Sequence, residues 1–250
     1  MRKEISIPII GIAAGELMMY YNRVDLGLGI HMTNLLIMVL LLIFSNLSEE
    51  VKSVFQSLLL LLLLRMVSLS MPQFSSTALL WFPLVYGVMF IPIYLVIKNQ
   101  QISAKELGVN FSRLHIYLPA ALLIGGGMAT IEYSLIKPAP LIESIGLPSL
   151  ALMVIVMFFF VAASEEFIFR SILQTRLERA VGLKYGLLLS SSLFGIMHAG
   201  YGTAGEVLLA GLFGGILGYI FQKTRSLPLI VAVHGTANVI LFGVLPIIIA

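Results

Sequence analysis

Long apolar stretches restrict most strongly how this chain can fold. Each is about twenty residues long, which is what a helix needs to cross the hydrocarbon core of a bilayer. The chain is 59% hydrophobic and 11% charged, whereas soluble domains are about one quarter charged. Lipid offers no water to backbone groups, so only helices or closed barrels can span it. Because the strand-like alternation of a barrel is absent from the sequence, we expect an all-α protein.

The apolar stretches predict a polytopic bundle of eight transmembrane helices in one membrane domain. The predicted spans are residues 30–46, 53–70, 78–97, 115–136, 149–178, 184–200, 204–222 and 227–249. Residues 5–21 include Pro8 and Glu16. This segment is predicted either to be a ninth span or to lie as a helix in the membrane interface.

The distribution of basic residues predicts which loops face the cytoplasm. If residues 5–21 form a span, most Lys and Arg residues fall in alternate loops, and the other loops contain only Arg23 and Lys137. Arg65 and Arg170 lie within predicted spans. Cytoplasmic loops carry the excess of Lys and Arg in membrane proteins, so we expect the basic loops to lie in the cytoplasm.

Composition also excludes several kinds of site. The chain has no cysteine, which excludes disulfides, thiolate catalysis and cysteine-ligated metals. The formal charge of +3 is spread over short loops. That pattern gives no nucleic-acid-binding surface.

Ionisable residues inside the later spans are the strongest functional signal, because a charge within a membrane usually faces a partner or a cavity. Glu166 and Arg170 are four residues apart and can pair on one helical face. Glu165 is rotated from Glu166 by about 100°. We therefore expect Glu165 to face a cavity, where it can act as a general base.

Two imidazoles and an amide on other spans complete a possible hydrolytic site. His234 and Asn238 are four residues apart, and both can donate hydrogen bonds to a developing oxyanion. His198 lies on a further predicted span. These groups with Glu165 could hydrolyse a bond by activating water. Alternatively, Glu165, His198 and His234 could bind zinc.

These residues form three motifs that resemble those of a known family. Glu165–Arg170, EEFIFR, resembles the EExxxR motif of the CPBP family, which comprises CAAX proteases and bacteriocin-processing enzymes and is also called ABI. Phe194–His198 resembles its FxxxH motif, and His234–Asn238 resembles its HxxxN motif. The order of the motifs also agrees, and the resemblance covers residues 149–249.

The resemblance implies an intramembrane endopeptidase acting on membrane-associated or lipid-modified, CAAX-type substrates. By this resemblance, Glu165 would activate water with help from His198, while His234 and Asn238 would hold the oxyanion. The implied supporting residues are Glu166, Arg170 and Phe194. The resemblance favours catalysis without a metal. It also implies that the protein's partners are membrane lipid and a peptide or lipidated protein.

The resemblance also divides the chain into accessory transmembrane helices, residues 1–148, and a catalytic core, residues 149–250. Distances along the helices from Arg176 and Arg225 predict a site within the membrane that opens toward the cytoplasm.

Two other functions remain open. One is a non-enzymatic immunity or scaffold protein on the same fold. The other is an ion-coupled transporter, in which intramembrane acids and imidazoles relay protons.

Other unusual residues are expected to be structural. Arg65 and Glu132 are expected to pair with each other or to reach toward the membrane surface. Glu206 is expected at a helix start, where the helix dipole favours an acid. The glycines of residues 211–218 are three or four positions apart, a spacing that allows helices to pack closely.

Overall fold

The computed structural model describes residues 3–70, 78–111 and 113–249, and all regular structure in these ranges is helical. This confirms the predicted all-α fold. Short 3₁₀ turns occur at Ala78–Leu80 and Ala199–Tyr201. The helices are α1 (Lys3–Tyr20), α2 (Val24–Phe44), α3 (Glu49–Ser70), α4 (Trp81–Asn99), α5 (Ala104–Leu107), α6 (Leu114–Ile136), α7 (Leu147–Val181), α8 (Leu183–Ile196), α9 (Ala204–Thr224) and α10 (Leu227–Ile248).

Seven helices in the described ranges are long and apolar enough to cross a membrane, namely α2, α3, α4, α6, α7, α9 and α10. They coincide with seven of the predicted spans, which fits an integral membrane protein. The predicted span 184–200 differs, because α8 ends at Ile196 after 14 residues. Such a helix is about 21 Å long, whereas the hydrocarbon core is about 30 Å thick. His198 therefore lies beyond the end of α8 rather than inside it.

Helix α1 runs antiparallel to α2 within the bundle. Near one end, Asn34 Nδ2 donates to the Pro8 carbonyl oxygen at 2.9 Å. Near the other end, His31 Nε2 lies 3.1 Å from Glu16 Oε1. These contacts pack α1 against α2, but α1 is not among the seven helices found long and apolar enough to cross a membrane, so the choice between a ninth span and an interfacial helix for residues 5–21 stays a prediction.

Helix α7 occupies the middle of the bundle, where it packs against α3, α4, α8 and α10. Two π-helical segments, Val156–Ala162 and Phe167–Gln174, flank the single α-helical turn Ala163–Glu166. π-Helical turns inside α-helices occur frequently at functional sites. Here they flank the turn that carries Glu165 and Glu166.

Small residues bring α8 and α9 close together. A Cβ atom on Gly195 would lie 2.5 Å from the carbonyl oxygen of Val207, and one on Gly214 would lie 3.1 Å from the Phe194 side chain. A Cβ atom on Gly211 would have only ordinary contacts, the nearest at 3.6 Å. The close packing predicted from the glycine spacing is therefore present, but it is uneven along α9.

We expect Gly195→Ala to separate α8 from α9 and to lower the free energy of unfolding by about 1–3 kcal/mol, as overpacking does in other cores. Gly211→Ala at the same interface is the matched control. It should leave stability unchanged or slightly raised, because alanine favours helix more than glycine. Thermal unfolding in detergent, followed by circular dichroism, measures both. Equal melting temperatures for the two variants would contradict the close contact at Gly195.

Candidate active site

A cavity of about 270 Å³ lies between α3, α4, α6, α7, α10 and the segment that follows α8. Glu165 lines it from α7, His198 from the segment after α8, and His234 and Asn238 from α10. A smaller cavity of about 30 Å³ is lined by His198, His234 and Asn238 as well. The structure thus brings together all four side chains for which the sequence predicted a catalytic role.

Glu165 is the acid that reaches the cavity, where its side chain is 10% exposed. Its Oε1 accepts a hydrogen bond from the Tyr86 hydroxyl at 2.6 Å. Its Oε2 lies 3.7 Å from Nε2 of His234. Tyr86, on α4, was not predicted as a site residue, because nothing in an apolar segment indicates which distant group a tyrosine will meet.

Glu166, in contrast, is completely buried and binds two partners. Its Oε1 accepts from Arg170 Nη1 at 2.8 Å, as the sequence spacing predicted, and from His234 Nδ1 at 2.7 Å. Because a carboxylate only accepts hydrogen bonds, Nδ1 of His234 must carry a proton. Glu166 therefore fixes the orientation of His234 and leaves its Nε2 directed toward Glu165.

Arg170 is only 1% exposed, so its charge needs compensation within the bundle. Besides Glu166, Nη2 of Arg170 contacts the Gly214 carbonyl oxygen at 3.3 Å. The guanidinium carbon also lies 4.2 Å from the centroid of the Phe194 ring. Such a cation–π contact adds to the stability of a desolvated cation. These contacts join α7 to both α8 and α9.

Phe194 packs beside both imidazoles, with ring centroids 4.8 Å from His198 and 6.0 Å from His234. The Nδ1 atom of His198 lies 2.8 Å from the carbonyl oxygen of Phe194. Since a carbonyl oxygen can only accept, Nδ1 donates and the neutral ring keeps Nε2 as an acceptor. Tyr201 stacks on the His198 ring at 6.2 Å.

Arg65 does not pair with Glu132, contrary to one of the two expectations. Its Nε and Nη2 donate to the two carboxylate oxygens of Glu16, both at 2.6 Å. Nη2 also donates to the carbonyl oxygen of Met197. The last carbonyls of a helix lack intrahelical donors, so Arg65 satisfies the one directly before His198. In this way α1 and α3 help to hold His198 in place.

Glu132 instead faces Glu206, with the two carboxyl groups close enough to interact. Glu132 lines both cavities beside His198. Glu206 is completely buried, and neither of its oxygens has a donor among the described residues if both acids are ionised. A proton on one of the two carboxyl groups would supply that donor. Glu206 does begin a helix, as predicted, with its backbone N–H 3.3 Å from Thr203 Oγ1.

The sequence allowed zinc binding by Glu165, His198 and His234, and the arrangement of possible metal ligands bears on that alternative. In the described part of the chain, no three His, Cys, Asp or Glu side chains form a group that could hold a metal ion. The Nδ1 atoms of His198 and His234 are occupied by Phe194 and Glu166. Each imidazole therefore has only Nε2 free to face the cavity.

We expect Arg170→Met to lower the free energy of unfolding by about 3–5 kcal/mol, because it leaves Glu166 buried without its cation. The control is the double variant Glu166→Gln/Arg170→Met, which removes both charges and should recover part of the loss. Thermal unfolding of the purified variants in detergent tests this expectation. Wild-type stability in the single variant would mean that the ion pair contributes nothing to the fold.

Comparison with known protein families agrees with the site. Residues 147–240 match the family model described as type II CAAX prenyl endopeptidase Rce1-like, and this range includes all three motifs. Neither a curated protein nor a solved structure matches the chain. Residues 147–240 form a domain similar to the Rce1-like type II CAAX prenyl endopeptidases, in agreement with the family that the three motifs resemble.

Proposed function

We propose that the protein is an intramembrane endopeptidase that hydrolyses peptide bonds of membrane-associated or lipid-modified substrates with a water activated by Glu165. One observation carries the proposal, namely that Glu165, His198, His234 and Asn238 line one cavity of a transmembrane bundle. The family match to a prenyl endopeptidase supports peptide hydrolysis as the reaction.

Glu165 has the position of a general base. Its Oε1 is held by Tyr86, so Oε2 is the oxygen that would take a proton from water. Nε2 of His198 would accept the second hydrogen bond of that water and orient it. The water oxygen then bonds to the substrate carbonyl carbon. When the C–N bond breaks, Glu165 returns its proton to the leaving amine nitrogen, so it ends the cycle ionised.

His234 and Asn238 would stabilise the oxyanion that forms when water adds. Nδ1 of His234 already donates to Glu166, so donation from Nε2 requires a second proton on the ring. His234 would therefore act as an imidazolium, with the carboxylates of Glu166 and Glu165 opposite its two nitrogens. Loss of a single oxyanion donor lowers kcat by about 100–1,000-fold in other hydrolases.

We expect Glu165→Gln to reduce cleavage by about 100–10,000-fold, which is the usual contribution of a general acid–base. A suitable probe is an internally quenched peptide ending in a farnesylated Cys-aliphatic-aliphatic-X sequence, added to the protein in liposomes. The exposed acid Glu143 provides the matched control, and Glu143→Gln should cleave like the wild type.

Cleavage by Glu165→Gln at the wild-type rate would contradict the proposed mechanism. A wild-type protein that cleaves neither this probe nor the same peptide without its farnesyl group would instead favour an immunity or scaffold role. Uptake of ions or solutes that follows an imposed proton gradient would favour the transporter.

The mechanism as proposed uses no metal ion, since water can be activated by Glu165 and the oxyanion held by His234 and Asn238. We therefore expect dialysis against EDTA and 1,10-phenanthroline to leave the cleavage rate unchanged. Rates measured before and after dialysis, and after adding zinc, provide the test. Activity that is lost on dialysis and restored by zinc would assign Glu165, His198 and His234 to a metal instead.

A further inference from the structure

One end of the bundle carries nearly all of the basic residues outside the helix interiors. The opposite end has only Arg23 and Lys137 within the described ranges. The described residues of the basic end are Lys3, Lys52, Lys98, Lys105, Arg113, Arg176, Arg179, Lys184, Lys223 and Arg225.

Direct contacts show that the basic loops form a single face. Arg176 at the end of α7 pairs with Glu106 of α5, and Arg225 after α9 pairs with Glu178 at 3.1 Å. The backbone N–H of Leu227 donates to the Gly108 carbonyl oxygen at 2.8 Å. These bonds tie α5 and the residue after it to the ends of α7, α9 and α10, so the charge asymmetry belongs to the folded bundle as well as to the sequence.

The catalytic cavity lies toward the other end. Arg65 lines it about 24 Å along α3 from Glu49, and Glu132 about 27 Å along α6 from Leu114, at 1.5 Å per residue. Tyr86 lies about 20 Å along α4 from Asn99. All three distances start at the basic end, and the hydrocarbon core is about 30 Å thick. His234 is the exception, about 10 Å along α10 from Leu227, but most of the lining lies in the half of the bundle away from the basic face.

Packing separates the cavity from the basic face. A second cavity of about 420 Å³ opens at that face, but it is lined by none of the residues that line the catalytic cavity. Between the two lies Gln174, which is 1% exposed. Its Nε2 donates to Glu178 Oε1 at 2.7 Å and to the Gly218 carbonyl oxygen at 3.1 Å. Arg170 is equally buried one turn deeper.

We infer that the catalytic cavity opens toward the non-cytoplasmic face of the membrane, which is the reverse of the opening expected from the sequence. The positive-inside rule places the basic face in the cytoplasm, and the cavity lies at the opposite end. What the inference implies about substrates rests on the proposed peptidase function. The substrates would be chains that are inserted in the membrane or exported across it, with the scissile bond in the outer half of the bilayer or just beyond it.

The lining of the cavity agrees with such substrates. Apolar side chains surround the polar ones, and they could receive apolar residues beside the scissile bond. They are Leu64, Phe82, Met157, Val161, Phe169 and Phe242. A segment at the boundary between membrane and water offers this combination of apolar side chains and an accessible peptide bond.

Because the sequence has no cysteine, labelling of a single introduced cysteine can report which side of the membrane each end of the bundle faces. Gly200→Cys places a thiol beside the cavity, at an exposed position where a Cβ atom meets nothing within 4 Å. Ala104→Cys places one at an exposed position on the basic face. A membrane-impermeant maleimide added to intact cells should label Gly200→Cys at least tenfold more than Ala104→Cys. Permeabilising the membrane should make the labelling equal.

Preferential labelling of Ala104→Cys in intact cells would overturn the inference, and so would equal labelling before permeabilisation. Ala139→Cys, in the exposed loop after α6, is a second reporter for the cavity end if Gly200→Cys does not fold. The labelling can be measured whether or not the protein has peptidase activity. Failure of the peptidase proposal would therefore appear as absent cleavage of the peptide probe, while failure of the sidedness would appear in the labelling pattern.

Discussion

The structure of the site depends on one buried carboxylate, that of Glu166. It accepts hydrogen bonds from Arg170 on its own helix and from His234 on α10. A buried charge is stable only when its partners are positioned well, so this contact specifies how α7 and α10 meet. The same contact leaves the neighbouring acid, Glu165, as the one that faces the cavity. Adjacent residues of identical type thereby acquire different environments, since Glu166 is enclosed by protein and Glu165 lines the cavity.

The helices before residue 147 are connected to this arrangement by a second buried ion pair. Arg65 joins Glu16 on α1 to the carbonyl oxygen that precedes His198. Because α8 ends at Ile196, His198 has no helix of its own to orient it. Its position depends on its bond to Phe194, on stacking with Tyr201 and on the capping of α8 by Arg65. The N-terminal helices are therefore part of the structural support of the site, although the family match begins only at residue 147.

The sequence predicted what local rules determine. The length of the apolar segments predicted the helices, and the spacing of Glu166 and Arg170 predicted their ion pair. Glu165, His198, His234 and Asn238 were predicted to share a cavity, and they do, while their chemical roles stay a prediction. Tyr86, Arg65 and Glu132 find their partners on other helices, and one sequence contains no information about which distant helices pack together. The end of α8 was missed because apolar residues continue beyond it.

Helix α8, about 21 Å long, is shorter than the roughly 30 Å hydrocarbon core of a bilayer, and in a membrane that difference would act on the surrounding lipid. A mismatch of several ångströms is accommodated by local thinning of the bilayer, at a cost of fractions of a kcal/mol per ångström. The thinned lipid would surround the end of α8, next to His198. Acyl-chain length would then affect the candidate site, so that the cavity of the same polypeptide would be better hydrated in a thin bilayer than in a thick one.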